Sequence, residues 1–318
     1  MRRALITTAM MSVLTGASLA AAPETPRAGP AMPAVPADNY ALLAFSAAME
    51  GRKADTLAAV QRVVATVPLA VVLGRGDSGW GLAQQYAALV RFGLWDEAIA
   101  LGAPDPQAPG LTAGYLYSRG VALAARGRLE EARAVLAQLQ QLAAAVPADA
   151  HAGRNSLRNI LEVAEPIVAA RIAATEQRSD EAIALLRAAV AAQDRLADNE
   201  PADWFFPARH LLGAQLLIAG RAADAERVYR EDLRRNPANG WALYGLAAAL
   251  REQRRPHEAA QVQREFASAW HHADVRLPAS AFWFAGLDTT SCECQRLSSG
   301  DRQTGSELLR PQHEAGVD

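Results

Sequence analysis

The chain has 318 residues, half of them hydrophobic, with only 6% aromatics and a formal net charge of −2. That length allows one elongated or two compact domains, and the alanine-rich composition favours close-packed helices, since Ala is the best helix former. The near-zero charge excludes a basic field for nucleic acid; Lys53 is the only lysine, and the other positive charges are arginines.

The first twenty residues carry Arg2 and Arg3, an apolar run from Ala4 to Leu14, and the small-x-small triplet Ser18-Leu19-Ala20. This pattern predicts a signal peptide over 1–20, and the run is too short to span a bilayer. The mature chain is therefore expected to be exported, periplasmic or secreted, with no stable membrane insertion. Residues 21–38 are rich in Pro and Ala and read as a linker.

From 39 to 277 one pattern recurs. An apolar helix with a small residue at its centre breaks, and a second helix begins with an alanine in its first turns. The second helices start at GRKADTLAAV (Gly51), GLWDEAIAL (Gly93), GRLEEARAVL (Gly127), QRSDEAIALL (Gln177), GRAADAERVY (Gly220) and RRPHEAAQV (Arg254). Ala98 to Ala132 and Ala225 to Ala259 are each 34 residues apart, the tetratricopeptide period. The longer intervals around Ala182 imply inserted loops or longer helices. Glycines where first helices end supply a left-handed cap, and acids such as Glu130, Glu131, Asp180 and Glu181 suit helix N-termini. Pro68 and Pro237 stop second helices. Gly120, Ala170, Gly213 and Ala247 fall where paired helices approach closest. The stretch 201–237 is the best-formed member of the series.

This pattern resembles tetratricopeptide-repeat proteins. Residues 88–101, 118–134 and 200–251 are similar to the C-terminal half of large exported bacterial repeat proteins of no settled function. The resemblance covers roughly 39–277 and implies an all-α, right-handed α-solenoid of about six helical hairpins. Longer members carry a His- and Pro-containing motif in an N-terminal half. No histidine precedes His151 here, so no role attached to that motif carries over.

Several local motifs suggest chemistry and fail on context. GRGDSG (74–79) matches Gly-x-Gly-x-x-Gly after an apolar run, with Asp96 and Glu97 about twenty residues on. However, WDEAIAL starts a helix and no alternating strand–helix pattern follows, so the stretch reads as a loop between repeats. Gly76-Asp77-Ser78-Gly79 lacks the histidine base and barrel that a serine-protease nucleophile needs. Arg75-Gly76-Asp77 reads as a chance match to an adhesion tripeptide.

Trp204, Phe205 and Phe206 form the densest aromatic cluster, with Trp241 and Tyr244 one repeat later. First helices of this fold line a concave face, where large aromatics can anchor a peptide. Core filling beside the inserted loop is the competing reading. Arg209, Arg230, Arg234 and Arg235 can clamp partner carboxylates or simply face solvent. His210 reads as packing or a cap, and His271 and His272 as a helix C-terminus.

Residues 278–318 depart from the repeat pattern and read as a short aromatic patch followed by a largely disordered tail. Cys292 and Cys294, the only cysteines, can pair across one residue as a strained disulfide, or bind a soft metal with His271 or His272. The sequence thus points to a non-enzymatic scaffold that needs no cofactor. It would bind a protein or peptide partner through Trp204, Phe205, Phe206, Arg209, Trp241 and Tyr244. The alternative is a metal-handling or thiol-redox accessory protein built on Cys292 and Cys294.

Overall fold

An alanine-rich chain punctuated by left-handed residues has little choice but to form short helices and turn sharply between them. The computed structural model describes residues 37–74 and 76–284, and there the chain is all-α apart from one two-residue strand pair. The helices in order are α1 (Ala37–Met49), α2 (Lys53–Thr66), α3 (Leu69–Gly74), α4 (Gln84–Arg91), α5 (Trp95–Ala100), α6 (Pro109–Ala125) and α7 (Leu129–Ala145). They continue with α8 (Leu157–Thr175), α9 (Ser179–Gln193), α10 (Ala208–Ile218), α11 (Ala222–Arg235), α12 (Gly240–Glu252) and α13 (Pro256–Ala269). The expected signal peptide, most of the linker, and the two cysteines lie outside the described residues.

Each second helix expected from the sequence is present, and each follows the same turn. Gly51, Gly93, Gly127, Gln177, Gly220 and Arg254 all take positive φ, between 58° and 72°. The next residue's N–H returns to the carbonyl near the end of the helix before it: Arg52 to Ala47, Leu94 to Leu89, Arg128 to Leu123, Arg178 to Ala173, Arg221 to Leu216 and Arg255 to Leu250. This is the 6→1 bond of a Schellman cap, which satisfies carbonyls that would otherwise be orphaned. Shortly after each turn a small residue is buried: Thr56, Ala98, Ala132, Ala182, Ala225 and Ala259.

The helices fall into an inner and an outer set. α6 and α7 are equally long, yet α7 buries only the stripe Ala132, Val135 and Leu139, whereas α6 is buried along nearly its whole length. α6 touches both α4 and α8, and α10 touches α12, so the first helix of each pair faces inward. The inner approach is close at Tyr229 of α11. A Cβ on Gly213 of α10 or Gly245 of α12 would come within 2.3 or 2.2 Å of its ring. Of the small residues expected at helix contacts, Gly120 would likewise press a Cβ on Val168, and Ala170 and Ala247 are fully buried.

Two features depart from the expected organisation. The first is an antiparallel pair, β1 (His151–Ala152) with β2 (Asn155–Ser156), joined through Gly153 and Arg154. Gly153 takes φ 66°, as a tight two-residue turn needs at its first position. The second is that the ends of the helical series meet. Trp241 Nε1 donates to the Ala48 carbonyl at 2.9 Å. The Asp274 carboxylate accepts the Lys53 and Ala54 N–H groups at the start of α2, at 2.6 and 2.8 Å, where a helix dipole favours an anion. The stretch after Pro278 also differs from a tail at its outset: Ser280, Ala281 and Trp283 are buried.

Of the GRGDSG segment, Gly74 ends α3 and residues 76–79 form neither helix nor strand. The apolar run before it is the helix α3 rather than a strand, and a 3₁₀ turn over Trp80–Ala83 follows. Asp77 accepts the Gly79 N–H at 2.7 Å, and the Ser78 carbonyl accepts the Gly110 N–H at 2.7 Å. Asp96 and Glu97 sit in the first turn of α5. A dinucleotide site has no strand here to stand on.

Candidate functional site

The inner helices enclose an aromatic cleft. Its walls include Arg91, Tyr117, Trp204, Phe205, Phe206 and Trp283. The loop before α10 supplies three of these, and its position is fixed from two sides. The Asp203 carboxylate accepts the N–H groups of Arg154 and Asn155 and the side-chain amides of Asn155 and Asn199. Trp80 donates its indole N–H to the Asp203 carbonyl at 2.6 Å and stacks on Phe205 with centroids 4.8 Å apart. Tyr117 of α6 meets Trp204 edge-on at 5.2 Å. Aromatic pairs at these spacings contribute beyond their buried area.

A polar chain runs along one side. Arg91 Nη1 lies 3.0 Å from His210 Nδ1, and His210 Nε2 lies 2.8 Å from Asp232 Oδ2. A guanidinium can only donate, so Nδ1 accepts and the Nε2–H donates to Asp232: the imidazole is neutral. Burial lowers the His210 pKa, and the Arg91 charge adds to that effect. Burial alone would raise Asp232, but the electrostatic attraction of the His210 ring and hydrogen bonds from His210, Asn239 and Asn236 outweigh it, and the carboxyl ends below its usual range. Burial also pulls Arg91 down, to about 9. Its guanidinium stacks 3.6 Å from the Trp241 ring centroid and 4.8 Å from that of Phe206. Both imidazole nitrogens are occupied within the core, so His210 serves as a bridge between buried charges and not as a proton acceptor for a bound molecule.

The backbone of His210 is held as well. Ser280 donates to its carbonyl at 2.8 Å, and Tyr229 therefore donates to Ser280 Oγ, at 2.7 Å. This ties the segment after α13 across α10 and α11, and Trp283 follows into the interior, its indole N–H on Gln215 Oε1 at 3.3 Å.

Arg171 of α8 lies beneath that indole, its Cζ 5.3 Å from the ring centroid. It is fully buried, and its Nε, Nη1 and Nη2 all lack a hydrogen-bond partner among the described residues. Burial lowers its pKa to about 10.

The residues expected to meet a partner are placed mainly in the core. Trp204 and Phe205 are 4% and 5% exposed and Trp241 is fully buried, which removes all three from an open concave face. The reason is that the inner helices converge and the aromatic side chains fill the space between them. Arg209 is also buried. It clamps Asp194 at the end of α9 through two bonds of 2.7 and 2.6 Å, so it is committed within the chain. Phe206 is half-buried at the cleft, and Tyr244 of α12 is half-buried with its ring 5.5 Å from Phe266. Arg230, Arg234 and Arg235 pair with acids on their own helix. His271 and His272 are exposed, their rings 3.6 Å apart, and no cluster of three potential metal ligands occurs among the described residues. The structure adds Arg91, Arg171, Asp232 and Trp283 to the residues singled out from the sequence. An arginine centred in an apolar first-helix stretch, as in VAARIAA (168–174), is the one local sign that Arg171 lies inside. Comparison of the chain with protein-family models, curated proteins and solved structures finds no match.

Proposed function

We propose that the chain is a tetratricopeptide-like scaffold, a right-handed α-solenoid of about six hairpins. It binds a protein or peptide partner in the bacterial cell envelope by surface complementarity. The observation that supports this most is the six-fold recurrence of one turn: a left-handed residue, a 6→1 backbone bond and a buried small residue just beyond. A repeat of this kind stacks neighbours to bury its apolar faces, and its inner helices form the surface on which such proteins bind. With Trp204, Phe205 and Trp241 spent on packing, the surface left to a partner is the mouth of the aromatic cleft, where Phe206, Leu211 and Phe282 remain partly exposed.

The reading is tested by replacing Phe206 with a photoreactive phenylalanine analogue in the full chain and irradiating it in envelope extract. A discrete adduct is expected from that position. A control position on the outer face, Gln138 of α7, should give none. Equal labelling from both positions, or none from Phe206, argues against a partner at the cleft.

A further inference from the structure

Arg171 poses a problem that the fold does not solve. A guanidinium offers five N–H donors, and burying a charge without a partner is costly. Yet at 0% exposure its three nitrogens meet no acceptor among the described residues. Among the described residues the buried carboxylates are committed elsewhere, Asp232 to His210 and Asn239, Asp203 to backbone and amide N–H groups. What covers Arg171 is the neutral indole of Trp283.

Trp283 links the guanidinium to the cleft. It is one of the cleft's lining residues, together with Ile167, which precedes Arg171 by one turn of α8. The guanidinium lies over its ring, 5.3 Å from the centroid, and Arg171 itself is not among the lining residues. The indole is held by one polar contact, the 3.3 Å bond to Gln215, and it stands on a short segment beyond α13, not on a helix of the inner set. An aromatic ring is thus well accommodated at this position; its face attracts the guanidinium but offers no acceptor to the guanidinium N–H groups. A ring of similar size bearing an acid would fill the same space and neutralise the guanidinium, whose planar fork matches a carboxylate.

We propose that the space Trp283 occupies over Arg171 is a binding site for an aromatic carboxylate, the ring replacing the indole and the carboxylate pairing with the guanidinium. Free aromatic acids and peptides ending in Trp or Phe share this chemistry. The peptide form rests on the partner-binding reading above; the small-molecule form does not.

Calorimetric titration of the full chain tests this with four probes: indole-3-propionate, its primary amide, a hexapeptide ending in tryptophan with a free carboxylate, and the same peptide amidated. The acids should bind at least tenfold more tightly than their amides. Arg171→Met should erase that preference, and Trp283→Ala, which removes the internal competitor, should tighten acid binding about tenfold. Arg171→Met should remain folded, because it deletes an unpaired buried charge; the acid-to-amide comparison on the unaltered chain stands without it. Equal binding of acid and amide, absence of binding by both acids, or a preference that survives in Arg171→Met overturns the site. Binding of the free acid but not of the peptide keeps the site and removes it from partner recognition. A failure of both acids beside a discrete Phe206 adduct overturns the site alone.

Discussion

Arg91 and Arg171 both carry a guanidinium into the interior, on α4 and α8, and their surroundings differ in kind. Arg91 stacks on Trp241, donates to His210, and through that imidazole faces the Asp232 carboxylate. Arg171 has a ring at 5.3 Å and no acceptor among the described residues. The same side chain is therefore part of a compensated network in one place and an uncompensated charge in the other. Buried charges stabilise a fold only when the partners that offset desolvation stay in place. The first arrangement is satisfied within the fold, while the second has the face of an indole and no hydrogen-bond acceptor among the described residues to offset its desolvation.

The comparison is most sharply broken at Asp232. Asp232→Ala removes the anion that balances Arg91 and leaves His210 and Asn239 without their acceptor. Breaking a buried pair from one side costs about 3–5 kcal/mol, so denaturant unfolding should show a loss of that order. An unchanged midpoint would mean that Arg91 needs no counter-charge.

One substitution made at both arginines should have opposite signs. Arg171→Met replaces an unpaired charge by an apolar chain of similar length and is expected to stabilise by about 1–3 kcal/mol, in line with buried charges replaced by hydrophobic residues. Arg91→Met strands Asp232 and loses the stacking on Trp241, and should destabilise by about 2–4 kcal/mol. Equal effects in a urea titration would erase the distinction between the two environments.

Acid should reveal the same network. The folded pKa of His210 lies below its ordinary value, so below about pH 6.5 the unfolded chain binds a proton that the folded chain refuses. Asp232 is also lowered, and its contribution is lost as pH falls through its folded pKa. Both signs agree: stability declines as pH falls below about 6.5, with a slope of up to about 1.4 kcal/mol per pH unit for one proton. His210→Gln should flatten the part between pH 6.5 and 5, read from unfolding midpoints across that range. A slope identical to that of the unaltered chain would place the titration elsewhere.

The helices and turns were legible in the sequence, and the charges were not. Glycine before a helix start and a small residue shortly after it are local chemistry, and that register located even the turns at Gln177 and Arg254, where no glycine marks the positive φ. The partners of Arg91 are remote: His210 lies 119 positions on, and Asp232 another 22. No local pattern relates them. The aromatic cluster at 204–206 was visible, but whether it faced a groove or a core depended on how far the inner helices converge. Trp283 fell in a stretch that reads as the start of a tail because it lacks helical periodicity. Its aromatic density was the available sign that it packs.

Arg209 gives the smallest and most discriminating test, because it stands between the two extremes. It is buried like Arg171, but its bidentate partner Asp194 is partly open to solvent, and the hydrogen bonds from Arg209 hold that carboxyl below its usual range. Arg209→Lys keeps the charge and loses the planar fork. Since the carboxylate is partly hydrated, the loss should be about 0.5–1 kcal/mol, near the upper end for exposed pairs, and should shrink in 0.5 M salt. A loss as large as that of Asp232→Ala would mean that solvent access to one partner does little to soften a buried arginine's dependence on its anion. The contrast between Arg91 and Arg171 would then rest on the presence of a carboxylate alone.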